Sequence, residues 1–326
     1  MDLTLKRTLE EQDPRPARSI MALGLHWKRP GMGSQDALAH LKRELGLPGK
    51  AREGIGHTGV LDPFAEGWLL CGTDEGTKLM GPLSGLDKTY ETQLLIGWTT
   101  PTLDSASEAL HPEGHVAESM REWLQRDLSV INAELAEFLA TKEGTSFDQI
   151  PPQFSSVHVD GKRAYDWARK GVEKELKPKR VHVVEVEHLN CERGAESSIL
   201  WNFRVRVTTG TYIRALARDW ATELAAFPGH LTRLVRLAVG DFGLDETPGT
   251  FWRPLELDEL RGVFDIHYLT ALEAERLRNH GQWQARPHPR PCLLVAPDGQ
   301  GPVAWTEVPS GKIGRVFLSN PLALNS

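Results

Sequence analysis

Four glycines and one proline fall within the fourteen residues from Gly54 to Gly67, and no other stretch constrains this chain as strongly. Glycine reaches torsions closed to other residues and lets a second group come close to the backbone, so the segment predicts a shaped loop. Predictable elements flank it. On the N-terminal side, Ser34 is placed to cap a helix running to about Leu45, with Ala37, Leu38, Leu41 and Leu45 at helical spacing. On the C-terminal side, Trp68 to Gly72 reads as a short buried strand. In the middle stands Asp62-Pro63, which on residue type alone is an ordinary turn.

Periodicity organises the rest. Ile20 to Trp27 and Thr89 to Trp98 read as strands, and Val116 to Arg126 and Leu128 to Ala140 as peripheral amphipathic helices. Val181 to Leu189 and Ile199 to Thr208 alternate. The second puts Phe203, Val205 and Val207 on one face and Arg204, Arg206 and Thr208 on the other, so the two predict an antiparallel hairpin. Ile213, Leu216, Ala217, Trp220, Ala221 and Leu224 mark a helix from Tyr212 to Ala225, and Leu234 to Phe242 returns to strand.

A chain of 326 residues exceeds one ordinary core, which predicts a large domain and a small one. Pro and Gly cluster between Pro248 and Pro254, the natural boundary. Beyond Leu255 one helix, Leu269 to Asn279, precedes apolar runs at Cys292 to Ala296, Val303 to Thr306 and Arg315 to Leu318, the pattern of a small β-rich barrel.

Charge restricts the partners. The net charge of −6 argues against nucleic acid until its distribution is considered. From Gly161 to Arg180 there are eight basic residues and three acidic ones, whereas Asp104 to Asp148 holds ten acidic residues against Arg121, Arg126 and Lys142. A basic face and an acidic back reconcile these numbers, although a solvated helix face explains the count equally well. Residues 1–19 have no apolar core of signal-peptide length, and no stretch has the roughly 18 apolar residues of a membrane span. Cys71, Cys191 and Cys292 are odd in number and far apart. The expectation is a cytoplasmic protein without disulfides, zinc or membrane contact.

The block Gly56-His57-Thr58-Gly59-Val60-Leu61-Asp62-Pro63-Phe64-Ala65-Glu66-Gly67 closely resembles the signature of the TruB family of tRNA pseudouridine synthases, in which the Asp is essential. Further blocks follow in the family's order. They are Lys88-Thr89-Tyr90, Pro152 to Val157 with Gly161 to Tyr165, Gly210-Thr211-Tyr212-Ile213-Arg214, and Leu234-Val235-Arg236-Leu237. Two runs depart from the pattern: Trp27-Lys28-Arg29-Pro30-Gly31, where the proline is displaced by one, and Thr100-Pro101-Thr102-Leu103-Asp104. The resemblance implies an α+β fold, with a mixed, largely antiparallel sheet and flanking helices forming the pseudouridine synthase catalytic domain over residues 20–250. It also implies a PUA-like RNA-binding domain over 255–326, with 1–19 as an N-terminal extension. The implied partner is the T stem-loop of tRNA, bound by a monomer that needs no protein partner and no cofactor.

Forming pseudouridine breaks the bond between ribose C1′ and uracil N1, turns the base and rejoins it through C5, with no net redox change. The site needs an ionised carboxylate beside C1′ and C2′ and a pocket that retains the detached base. The resemblance assigns the carboxylate to Asp62, which either attacks C1′, attacks the base at C6, or removes the C2′ proton. A buried carboxylate stays charged only beside a cation, and the resemblance supplies Arg214. That residue is otherwise a cation misplaced in a first helical turn. By the same resemblance Tyr90 stacks on the flipped uracil, where aromatic stacking of about 1 to 3 kcal/mol offsets a flipping cost of similar size. Lys88, two residues away on an extended chain, shares its face. His57 is implied to enter the T loop and help displace the base, and Leu237 to form an apolar wall. Lys162, Arg163, Lys170, Lys179 and Arg180 are candidates for phosphate contacts, with Arg204 and Arg206 extending the patch. Two other readings stand beside this one. One is an RNA-binding or RNA-folding module whose chemistry is secondary or lost, for which no tritium release above background from C5-labelled uridine would leave binding as the main function. A nucleoside hydrolase would need clustered Asp around a metal, and the sequence shows no such cluster.

Overall fold

In the computed structural model, residues 23–47, 49, 54–195, 198–280, 283, 289–297, 302–307 and 310–316 are described. The larger unit begins with β1 (Leu23–Lys28), α1 (Ser34–Glu44), β2 (Ile55–His57), β3 (Glu66–Thr73), α2 (Met80–Ser84) and β4 (Lys88–Ile96). It continues through α3 (Gly114–Gln125), α4 (Leu128–Ala140), β5 (Ser146–Gln149), a two-residue hairpin pair β6 (His158–Val159) and β7 (Lys162–Arg163), and α5 (Ala164–Ala168). Then come β8 (Lys179–Gly194), β9 (Ser198–Val207), α6 (Ile213–Ala225), β10 (Gly229–Val239) and β11 (Arg253–Pro254).

One sheet orders these strands β11-β1-β3-β10-β4-β9-β8-β5, with β2 added to β3. Among its pairings only β3 with β10 is parallel, so the expected mixed, largely antiparallel sheet is what the chain forms. The expected hairpin is β8 with β9, from Val183 opposite Val207 to Gly194 opposite Ser198. Strand alternation splits the apolar residues between two cores. On one face Leu69, Cys71, Tyr90, Leu94, Phe203, Val205 and Leu234 pack with α1, α3, α4 and α6. On the other, Leu23, Leu25, Trp68, Leu70, Val235 and Val239 pack with residues from Leu255 to Val295. Four of the ten acidic residues of that segment, Glu118, Glu122, Glu134 and Glu137, lie on α3 and α4, whose buried residues Met120, Trp123, Leu124, Ile131, Leu135 and Leu139 face the first core.

The chain after Pro248 stays on the sheet rather than leaving it as a linker. Thr250 accepts a hydrogen bond from Trp27 N, β11 extends the sheet beyond β1, and Leu255 N donates to Leu23 O. The following residues form β12 (Asp265–Tyr268), α7 (Ala271–His280), β13 (Cys292–Val295), β14 (Pro302–Thr306) and β15 (Ile313–Val316). The described strands make an open four-stranded sheet instead of a closed barrel, and β12 pairs parallel to β13. Four half-exposed residues with a mixed pattern gave β12 no mark in the sequence. Trp305 Nε1 donates to Lys78 O, joining this sheet to the larger one. No helix among the described residues is long and apolar enough to cross a membrane.

Candidate active site

The glycine-rich segment becomes β2 and then a loop, Thr58 to Ala65, held on both sides of Asp62. Upstream, the Ser34 hydroxyl donates to Leu61 O at 3.0 Å and accepts from Leu61 N at 2.8 Å. Ser34 is therefore no helix cap: α1 has Gly33 at its N-cap, and the hydroxyl is committed to the loop. Downstream, the buried Lys28 ammonium donates to Ala65 O at 2.6 Å, to Arg29 O at 3.0 Å and to Pro63 O at 3.4 Å. Gly31 N adds a bond to Pro63 O at 2.8 Å. The displaced proline thus leaves the turn intact. Gly67 then brings β3 against β10 at φ +127°, where a Cβ would lie 2.3 Å from Arg236 O.

Asp62 faces Arg214 from across the chain. Arg214 Nε and Nη2 each donate to one carboxylate oxygen at 2.8 Å, the side-on geometry that gives a charge-assisted pair its strength. The guanidinium is buried and completes its bonding with Thr102 O at 2.8 Å and Phe154 O at 2.9 Å. A second carboxylate, the buried Asp104, lies 3.7 Å from Arg214 Nη1 and is held by Thr102 Oγ1 and Ala106 N. The variant run Thr100 to Asp104 therefore serves Arg214 through a backbone carbonyl and a side chain. Gln149, also buried, fixes the start of α6 by accepting from Tyr212 N at 2.8 Å and donating to Tyr212 O at 3.1 Å. Sequence reasoning passed over Gln149 and gave Asp104, the end of the variant run, no role, since neither residue type nor local pattern shows a polar side chain acting across more than sixty residues.

Asp62 opens into a cavity of about 810 Å³ that Tyr90, Lys88, Asp104, Arg163, Arg214 and Leu234 help to line. That is in the range of small-ligand pockets, large enough for a nucleotide. Its lining carries five cationic side chains, Lys88, Arg163, Arg169, Arg214 and Arg236, against Asp36, Asp62 and Asp104. Lys88 donates to Leu86 O at 2.6 Å, Ser84 O at 2.9 Å and Thr209 Oγ1 at 3.0 Å. Burial, with the charge of Arg236 adding to it, lowers its pKa to about 8.

Several of the expected residues lie outside the cavity lining. Leu237 lines a separate depression with Trp27, Trp68 and Leu244 and packs with the second core. A strand alternates faces, so Leu234 and Arg236 reach the Asp62 side and Leu237 the other. His57 is half-buried beside the cavity, with Thr58 and Gly59 rather than itself in the lining. Its Nδ1 accepts from Gly59 N at 3.1 Å, and burial followed by the Arg236 charge lowers its pKa to about 4. Arg180 pairs with Asp148 at 3.8 Å on the edge strand. Lys162 sits over the Trp167 ring at 5.0 Å, and exposed Lys179 donates to Thr209 O at 3.3 Å, beside the lining loop. Arg204 and Arg206 are ion-paired with Glu91, Glu187 and Asp87 on the sheet surface. Among the described residues no cluster of three or more His, Cys, Asp or Glu could hold a metal ion.

Comparison with known proteins adds independent information. Residues 49–213 match the family model described as TruB family pseudouridylate synthase (N terminal domain). The tRNA pseudouridine synthase B of Bacillus pumilus is 31% identical over 317 residues, spanning 92% of this chain and 93% of that one. The protein of the same name from Mycobacterium sp. strain KMS is 37% identical over 306 residues, spanning 90% and 91%. Among solved structures, a chain of a Cbf5-Nop10-Gar1 complex superposes with a TM-score of 0.56 at 19% identity, covering 93% of this chain and 87% of that one, a likeness of fold.

Proposed function

The chain belongs to the TruB family of pseudouridylate synthases, and from that premise we propose that it isomerises uridine to pseudouridine in the T loop of tRNA, with Asp62 as the catalytic carboxylate. The observation that carries the assignment to Asp62 is its side-on pairing with buried Arg214 at the foot of the cavity. The pair fixes the plane of the carboxylate, whose partly exposed side chain borders the cavity. Tyr90, on the same wall, offers a ring for the flipped base to stack on.

The loop and the basic hairpin at the rim take the RNA in this reading. Arg163 lines the cavity, and Lys162, Lys179 and Arg180 lie on neighbouring exposed positions suited to phosphates. His57 acts from below the loop rather than as a wedge in the RNA. The small sheet after Leu255 is an RNA-binding unit of PUA-like kind, and the protein acts as a cytoplasmic monomer.

Tritium release tests the reading. A T-arm transcript carrying C5-tritiated uridine should lose label stoichiometrically with product, and Asp62→Asn should bind the same RNA without release. Binding by the wild-type protein with no release above background would leave RNA binding or folding as its activity.

A further inference from the structure

Two buried cations in the cavity have no carboxylate partner. Among the described residues, Lys88 bonds only two carbonyls and a hydroxyl, and Arg236 only Trp68 O at 2.7 Å and Gly59 O at 3.2 Å. Arg214, by contrast, has both Asp62 and Asp104. Burying a charge without a counter-ion is costly, and a carbonyl cluster that needs donors is served as well by a neutral amide or hydroxyl. Their placement is informative. Arg236 stands directly opposite Tyr90 in the β4–β10 pairing, and Lys88 is two residues from Tyr90, so all three project from the same face of the sheet. Both cations also converge on Gly59, where a Cβ would lie 3.7 Å from Arg236 Nη1 and 3.7 Å from Lys88 Cε.

We infer that Lys88 and Arg236 form a cationic wall that stabilises the uracil monoanion released when the glycosidic bond breaks. The inference rests on the function proposed above. When the C1′–N1 bond breaks, its electron pair goes to N1, and the base becomes an anion with charge spread over N1 and the carbonyl oxygens O2 and O4. Of the three routes open to Asp62, the two that free the base as an anion are those in which the carboxylate bonds to C1′ or takes the C2′ proton, and the inference concerns these. After the base turns, the C5 electron pair forms the bond to C1′, and the carboxylate leaves C1′ or returns the C2′ proton. The C5 proton is lost and N1 gains one, so charge and redox state are unchanged overall. Uridine enters neutral and pseudouridine leaves neutral, and the anion exists only in between. Fixed cations at that place are thus complementary to the intermediate rather than to the substrate, the condition for raising kcat instead of affinity. A ring lying against Tyr90 would have Arg236 and Lys88 beside it, and the same attraction would keep the loose base from escaping.

The test varies the leaving group. T-arm hairpins carrying either uridine or 5-fluorouridine at the target position are reacted with excess enzyme, and disappearance of the N-linked nucleoside is followed after digestion. Fluorine makes the departing base a more stable anion, which depends less on outside stabilisation. Arg236→Gln and Lys88→Gln should slow the uridine hairpin on the order of 100-fold, as for removal of a preorganised donor, and the fluorinated one about tenfold less. Arg236→Lys, which keeps the charge, should retain the wild-type ratio, and covers the case in which the Gln variant does not fold. Equal losses on both RNAs in the Gln variants would mean that the cations only hold carbonyls, and would overturn the inference. A wild-type protein inert on the uridine hairpin would instead overturn the proposed function, and this inference with it.

Discussion

Asp62 and Arg214 meet side-on, with Nε and Nη2 of the guanidinium each 2.8 Å from a separate carboxylate oxygen. Two parallel bonds fix the carboxylate plane. A lysine at 214 would supply one point charge on a shorter reach, so the plane would be lost. Arg214→Lys should therefore lower single-turnover rates on the order of 100-fold while RNA affinity stays within a few-fold. Rates and filter-binding affinities on the same transcript decide it, and a large loss of affinity with unchanged rate would assign Arg214 to binding. Arg214→Ala, which strands Asp104 and Asp62 beside a hole, should also lower unfolding stability by about 3 to 5 kcal/mol.

Leu234 and Leu237 belong to opposite faces of β10, and only Leu234 borders the cavity. Leu234→Ala should reduce turnover with a stability cost of about 2 to 4 kcal/mol, because it is buried in the larger core. Leu237→Ala should leave the rate per folded molecule unchanged, since its neighbours are Trp27, Trp68 and Leu244. Denaturant titration beside single-turnover kinetics separates the two. A rate defect confined to Leu237→Ala would reverse the assignment of faces.

How much of this was legible beforehand follows from the range over which each cause acts. Leu128–Ala140, Ile213–Ala225 and the β8–β9 hairpin were visible because amphipathic periodicity is local and repeats several times. Asp62, Tyr90 and Arg214 were visible through the resemblance of short blocks, and the structure brings those blocks to one cavity. Leu237 was misplaced because a four-residue block does not reveal which of its members faces which side; the pleat decides that only once β10 is paired with β4. Ser34 looked like a cap since its type and position fit, yet its hydroxyl is claimed by Leu61, 27 residues away. Asp104 was visible only as the end of a run that departs from the family's pattern, without a role, and Gln149 has no local mark at all.

Charge at the rim should set the salt response. Each phosphate neutralised by a basic side chain contributes about 0.7 to 0.9 to the slope of log affinity against log salt. Arg163 lines the cavity without an ion pair among the described residues, whereas Arg204 is engaged by Glu91 and Glu187. Arg163→Ala should thus flatten the slope for T-arm RNA by about 0.7 to 0.9, and Arg204→Ala should leave it unchanged. Equal slopes in wild type and Arg163→Ala would remove this arginine from the RNA contact.

His57 makes stability depend on acid. Burial and the Arg236 charge lower its folded-state pKa from 6.5 to about 4, so the folded protein resists a proton that the unfolded chain accepts. Above pH 6.5 both states are neutral at this residue and its contribution is fully present. As pH falls from 6.5 toward 4, only the unfolded chain is protonated, and stability declines by at most roughly 3 kcal/mol. Below about 4 both states carry the proton and the loss is complete. His26, His188 and His230 are also shifted downward by burial, so the wild-type decline contains more than one residue. The share of His57 is read as a difference: urea unfolding at pH 7.5 and 4.5 should show a smaller decline in His57→Gln than in wild type. Identical declines would mean that the imidazole takes up its proton without leaving its place under the loop, and that the Gly59 N to His57 bond does not hold the neutral form.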